Sequence, residues 1–243
     1  GTWGLETRMG IRMDGAAAEH VREGLPVLAS FCDALAIRAF ADGKDLEADL
    51  AESTFKSMAA LVDKPFINLE SAMNHPCQAL ADWKTLNDLA VSPRSKFVLS
   101  WVPHPRALPL AVPAAALHMA ALRGHDVVVA RPEGFALPAP LMDRARALAA
   151  SSGGSVTETD DQSSAMEGAQ VLYAKEWGCT SHYGNAAIDA ELRAALQHWQ
   201  VTEETFAGAA ADCRLMHCLP VRRNVAVAEA VLDGPRSVVL KEA

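Results

Sequence analysis

From Ser92 to the end, the chain alternates short apolar runs with alanine-rich stretches of helical spacing, and no other feature narrows the fold as much. KFVLSWV (96–102), DVVVARP (126–132), SVTETDD (155–161), VLYAKEW (171–177), LMHCL (215–219) and SVVLKE (237–242) read as strands. Helices are expected over 110–123, 138–151, 163–168, 185–198 and 224–232. Parallel strands need a long crossover between them, and a helix supplies it, so the alternation predicts a parallel, doubly wound sheet. Before the turn SPRS (92–95) the same pattern recurs on a smaller scale. It runs helix 16–32, strand 34–40, helix 49–63, strand 65–70, and then a helix from His75 to Val91. The expectation is an α/β chain with two doubly wound parallel-sheet halves, residues 1–91 and 92–243.

Such a sheet makes a dinucleotide the default ligand. The turn after KFVLSWV is PHPRALP, however, with no Gly-x-Gly-x-x-Gly to admit a pyrophosphate, and there is no Walker-type loop. With 243 residues, 50% of them hydrophobic, the chain can build a sizeable core. Its net charge of -8 and the lack of a basic stripe argue against a nucleic-acid partner. The longest apolar stretch, Leu108 to Leu122, is broken by Pro109, Pro113 and His118 and falls short of the ~20 residues of a membrane span. The opening GTWGLETRMG is neither basic nor apolar enough for a secretory leader. Cys32, Cys77, Cys179, Cys213 and Cys218 are odd in number and show no Cys-x-x-Cys metal spacing. They read as reduced thiols of a cytoplasmic protein.

Chemistry concentrates at the expected strand ends, where open α/β sheets bind ligands. In RLMHCLPVRRN (214–224) an apolar run leads into His217 and Cys218, Pro220 stops it, and Arg222 and Arg223 follow. Paired guanidiniums suit phosphate and carboxylate. No His-Asn or His-Asp partner set is evident for Cys218, so a neutral thiol beside a backbone carbonyl is expected there; a persisting strand would turn His217 to the opposite side. His75-Pro-Cys-Gln78 opens a helix, with Asn74 as a plausible cap. Backbone N–H groups at that end disfavour an imidazolium, leaving His75 neutral and able to donate to a carbonyl oxygen, with Gln78 one turn on. Arg38 ends a strand and needs an acidic partner or an anionic ligand. Glu70, five residues before His75, suits a substrate ammonium or a loop cap. His104 and Arg106 follow the first strand of the second half, and Lys175 and Trp177 the fourth. With Arg222 they suggest an anionic substrate group.

The pair HPCQ and HCLP resembles the aspartate/ornithine carbamoyltransferase superfamily, over nearly the whole chain. FINLE, WVPHPRALP, YAKEW and HCLPVRRN are similar to the branch that takes N-acylated ornithines. The resemblance implies two α/β halves. Residues 1–91 would be the C-terminal part of a truncated carbamoyl-phosphate domain plus the interdomain helix, and 92–243 a Rossmann-like acylornithine domain without its C-terminal helix. It implies transfer of a carbamoyl group from carbamoyl phosphate to the δ-amine of an acylated ornithine, with no metal and no organic cofactor. His75 and Arg38 would stabilise the oxyanion, and Gln78 would orient the carbamoyl amide. Cys218 and Leu219 would hold the amine through backbone carbonyls. Glu70 would serve the α-carbon end of the substrate, and His104, Lys175 and Arg222 its anionic groups. Trp3 resembles a tryptophan lent to a neighbouring subunit, which implies a homotrimer with shared sites.

Three features lean to N-succinylornithine over N-acetylornithine: the Glu70-to-His75 spacing, the fuller match of WVPHPRALPLAVP, and Ala18 where the acetyl type has glutamate. Ala226 also stands where the acetyl type has lysine. The family's Ser-x-Arg-Thr-Arg phosphate loop would precede residue 1, and the arginine of its Glu-Asn-Arg motif would follow Glu242-Ala243, so an incomplete and nearly inactive chain is expected. The alternatives are an acetylornithine or ornithine enzyme, or a degenerate α/β binding module.

Overall fold

The computed structural model describes residues 4–243. Two short strands open it, β1 (Leu5–Glu6) and β2 (Glu19–His20), paired in parallel. Helix α1 (Val21–Ser30) follows at once, capped by His20, whose Nδ1 accepts from Arg22 N at 3.1 Å. The helix expected from residue 16 therefore starts later, because Glu19 and His20 pair with β1. Strand β3 (Leu35–Arg38) comes next, then α2 (Leu46–Ala51) and α3 (Ser53–Ala59). A single helix was expected there. The break is at Glu52, which is left-handed (φ 50) and whose Oε1 accepts from Met73 N at 3.0 Å. A tertiary bond of that kind leaves no mark on helical periodicity.

Strand β4 (Phe66–Glu70) pairs with β3 in parallel, and a register shift between Ile37 and Arg38 sets Arg38 opposite Glu70. Helix α4 (Pro76–Asp88) begins at the His-Pro pair. Val21, Leu25 and Met58 form a small core for this half.

The second half contains β5 (Lys96–Trp101), α5 (Ala111–Leu122), β6 (Asp126–Ala130), α6 (Ala139–Ser152), β7 (Ser155–Thr159) and α7 (Gln162–Met166). It continues with β8 (Val171–Lys175), α8 (Ala186–Ala194), β9 (Arg214–Met216) and α9 (Glu229–Leu232). The five strands are all parallel, in the order β7-β6-β5-β8-β9. Every residue of β8 is buried, as expected for a central parallel strand. α5 is buried nearly all round because its alanines let α4 and α6 pack closely against it. The main core joins this sheet to α4, α5 and α6.

The end of the chain departs from expectation. The helix forecast over 224–232 is formed only at Glu229–Leu232. Upstream, Val227 makes isolated parallel bridges to Val201 and Arg223, so that β-branched stretch is extended. SVVLKE is not a strand either. One bridge joins Leu215 to Ser237, and then the N–H groups of Lys241 and Glu242 turn back to the Val238 carbonyl. Among the described residues no helix is long and apolar enough to cross a membrane.

Candidate active site

The sheet's strand order reverses between β5 and β8, and the loops leaving the C-terminal ends of β5, β8 and β9 meet there. Internal bonds fix these loops. Trp101 Nε1 donates to the Trp177 carbonyl at 2.9 Å, and Trp177 Nε1 to the Phe135 carbonyl at 2.8 Å. On α8, the buried Arg193 donates to Asp189 and to the His104 carbonyl, while Asp189 Oδ1 accepts from Cys179 N at 2.6 Å. A cavity of about 260 Å³ opens between loop 41–43 of the first half and the loops around Leu108 and Tyr183 of the second.

His104 Nε2 lies 3.3 Å from Arg222 Nε, which donates to it, and Nδ1 lies 2.9 Å from the Arg106 carbonyl. The same Nδ1 also accepts from Arg106 N at 3.0 Å, so the 104–106 turn and Arg222 together hold the ring in place. Burial, with Arg222 and Lys175 nearby, lowers the pKa of His104 and keeps the ring neutral. Lys175 is buried and meets Glu176 Oε1 at 3.1 Å; His217 Nε2 meets Glu176 Oε2 at 3.0 Å. Burial opposes the charge on Glu176, yet the His217 hydrogen bond and the Lys175 ammonium hold its carboxyl well below the usual range. The strand stops at Met216, so alternation no longer governs His217, and its ring faces Glu176 and the Cys218 carbonyl. Cys218 is buried and its thiol is pushed up to about 11, so it is neutral and no ready nucleophile.

In the first half, Arg38 Nε and a terminal nitrogen donate to Glu70 Oε2, at 2.9 and 2.5 Å. Glu70 is buried, so the salt bridge weighed for Arg38 is made, and Glu70 has an internal partner where an incoming ammonium was considered. Arg38 remains half exposed. His75 is the cap of α4: its Nδ1 accepts from Gln78 N at 3.2 Å. The cap makes Nδ1 the acceptor and leaves the proton on Nε2, 3.7 Å from Glu70 Oε2. Burial lowers the pKa of His75, and Arg38 adds to this against the pull of Glu70. The ring is a neutral N–H donor beside a guanidinium.

The two halves meet through the end of the chain. Gln78 Nε2 donates to Asp82 Oδ1 at 2.8 Å and reaches the Glu242 carbonyl at 3.4 Å. The Glu242 carboxyl accepts from His217 N at 2.5 Å. Burial raises Asp82 to about 7 and Glu242 to about 9. Asp82 Oδ2, Glu242 Oε2 and the Tyr173 hydroxyl are buried with no hydrogen-bond partner of normal length, although Tyr173 faces Asp82.

Arg38, Glu70, His75 and Gln78 thus gather on one side, and His104, Lys175, Cys218 and Arg222 on the other. Leu219 is exposed beside Cys218, and its bond to Pro220 is cis. Ala18 is exposed in the segment leading into β2 and is not among the converging side chains. Trp3 lies outside the described residues. Sequence reasoning passed over Asp82, Glu176 and Glu242. Asp82 was legible as the i+4 neighbour of Gln78 on one helix face. Glu176 and Glu242 carried no such signal. Among the described residues, no group of three or more His, Cys, Asp or Glu is placed to hold a metal ion.

A neutral imidazole N–H and a guanidinium side by side can stabilise negative charge growing on a carbonyl oxygen. An amide oxygen beside them can accept from an N–H of the same group.

Two family profiles match the chain. The carbamoyl-P binding domain of aspartate/ornithine carbamoyltransferase covers residues 4–88, and the Asp/Orn binding domain covers 112–243. The N-succinylornithine carbamoyltransferase of Bacteroides thetaiotaomicron is 34% identical over 246 residues, covering 100% of this chain and 71% of that protein. The N-acetylornithine carbamoyltransferase of Xanthomonas campestris pv. campestris is 37% identical over 245 residues, covering 99% and 72%. A solved N-acetyl-L-ornithine transcarbamylase with one glutamate changed to alanine, complexed with carbamyl phosphate and N-succinyl-L-norvaline, superposes with a TM-score of 0.94. It is 37% identical, and the match covers 99% of this chain and 73% of that one.

Proposed function

This chain belongs to the aspartate/ornithine carbamoyltransferase family, and on that footing we propose that it moves the carbamoyl group of carbamoyl phosphate to the δ-amine of N-succinylornithine. The coarser statement, a carbamoyltransferase for an acylated ornithine, holds for both kinds of relative. In the proposed reaction the neutral amine attacks the carbonyl carbon, and a tetrahedral oxyanion forms. The bond from carbon to the phosphate oxygen then breaks, and the amine proton leaves with phosphate. His75 Nε2–H and the open side of Arg38 face the oxyanion. Gln78 Oε1 accepts from the carbamoyl NH2. The Cys218 and Leu219 carbonyls hold the amine; the Cys218 carbonyl also meets the His217 ring and keeps a second lone pair. Lys175 and Arg222 take the carboxylates of the acceptor, His104 acts by holding Arg222, and Glu70 acts by holding Arg38.

The observation that carries this reading is the capped His75. The cap on α4 fixes its tautomer, burial keeps it neutral, and its Nε2–H lies 3.7 Å from the Glu70 oxygen that holds Arg38. The succinyl preference is supported by the sequence resemblance at Ala18, Ala226 and the Glu70-to-His75 spacing, not by where Ala18 and Ala226 lie, and the substituted transcarbamylase described above binds a succinylated ligand. Carbamoyl phosphate is assigned to residues 1–91 and the acylornithine to 92–243, in a cytoplasmic homotrimer that shares Trp3 between subunits. Carbamoylation of succinylornithine, acetylornithine and ornithine by the protein with its full coding sequence tests the assignment. Succinylornithine is expected to give the highest kcat/KM. A higher value for either competitor overturns the acceptor, and no turnover with any of them overturns the reaction.

A further inference from the structure

Asp82 lies one turn beyond Gln78 on α4 and is fully buried, and its Oδ1 accepts from Gln78 Nε2 at 2.8 Å. The Glu242 carbonyl lies 3.4 Å from the same nitrogen. Both amide N–H groups are thereby drawn inward, and Oε1 is the end left for a ligand. An amide without such partners turns about its broad terminal torsion at little cost. It would then meet a carbamoyl NH2 with N–H groups of its own, donor against donor. A buried carboxyl is costly unless it is well bonded; Oδ1 is bonded to Gln78, while Oδ2 faces the Tyr173 hydroxyl without a hydrogen bond of normal geometry, with Glu242 and Cys218 nearby. Packing alone would be better served by an apolar side chain. The bond to Gln78 is what that cost secures. Burial raises Asp82 to about 7, and either protonation state keeps an oxygen acceptor for the amide.

We propose that Asp82 is a positioning residue for carbamoyl transfer, holding the Gln78 amide so that its oxygen accepts from the carbamoyl NH2. This rests on the function proposed above.

The test uses the full-length enzyme with carbamoyl phosphate and succinylornithine. Asp82→Ala is expected to lower kcat by about tenfold to a hundredfold, the cost of a misplaced catalytic contact, while KM for the acceptor stays within about threefold. Asp82→Asn keeps an acceptor at the same place and is expected to restore most of kcat. In a Gln78→Ala background the Asp82→Ala change is expected to cost less than about threefold, because the group it orients is gone. Asp82→Leu, close in shape, repeats the measurement where the alanine variant does not fold. An unchanged kcat, an equal loss in both backgrounds, or no rescue by asparagine overturns the inference. A parent enzyme without turnover defeats the functional reading itself, and is told apart by that control.

Discussion

His75 performs two separable tasks, and two substitutions pull them apart. Its Nδ1 caps α4 by accepting from Gln78 N at 3.2 Å. A lost cap costs about 1 kcal/mol. Its Nε2–H is the proposed oxyanion donor, and losing one such donor costs about 10²–10³ in kcat, or about 2.7–4 kcal/mol. Arg38 cannot substitute fully, since Nε and one terminal nitrogen are committed to Glu70. His75→Ala should therefore lower kcat by about 10²–10³ and lower Tm by about 2–4 °C. Asparagine is a favourable cap but too short to reach the carbonyl. His75→Asn should show the same loss of kcat with Tm within about 1 °C of the parent. The assays are ureido-product formation at saturating substrates and thermal unfolding followed by circular dichroism. If His75→Asn keeps kcat within about threefold of the parent, the donor role is wrong. If both variants melt together, the cap contributes nothing.

Glu176→Gln removes the charge between the buried Lys175 and His217, and leaving Lys175 unpaired should cost about 3 kcal/mol; an unshifted urea midpoint at pH 7 would contradict this. Asp82 and Glu242 keep their protons to about pH 7 and about pH 9 when folded, against 3.8 and 4.5 as ordinary values. The folded state then binds more protons than the unfolded one above about pH 4, so stability falls as pH rises, and Glu242 extends that fall to about pH 9. Tm should drop between pH 6 and pH 9, and Glu242→Gln should flatten the drop; parallel profiles would rule it out. Ala18 is exposed and apart from the converging side chains, so its place in the acyl pocket rests on the sequence resemblance alone. On that resemblance Ala18→Glu should lower kcat/KM for succinylornithine relative to acetylornithine, through a repulsion of about 1 kcal/mol after screening. A fixed ratio of the two constants would remove Ala18 from the acyl pocket.

Local rules made much of this protein legible. Apolar period placed β5 to β8 and α4 to α6 within a few residues, because nearly all of them bury a continuous face that the sequence must spell out, although the cap of α4 is His75 and not the expected Asn74. The His-Pro start of α4 was readable, and a neutral His75 was expected from the helix end, although burial is the larger cause of its lowered pKa. What could not be read depends on contacts between distant residues. The break at Glu52 follows from its bond to Met73, and SVVLKE fails as a strand because only Ser237 finds a bridge. The partner of Arg38 was one acid among many until a register shift between β3 and β4 set Glu70 opposite it. Glu242, far along the chain from Gln78, joins it to His217 only because the last turn folds back against α4. A titratable group takes its pKa from what surrounds it in space. Neither the raised Asp82 and Glu242 nor the lowered Glu176 could be assigned before the fold had placed their neighbours.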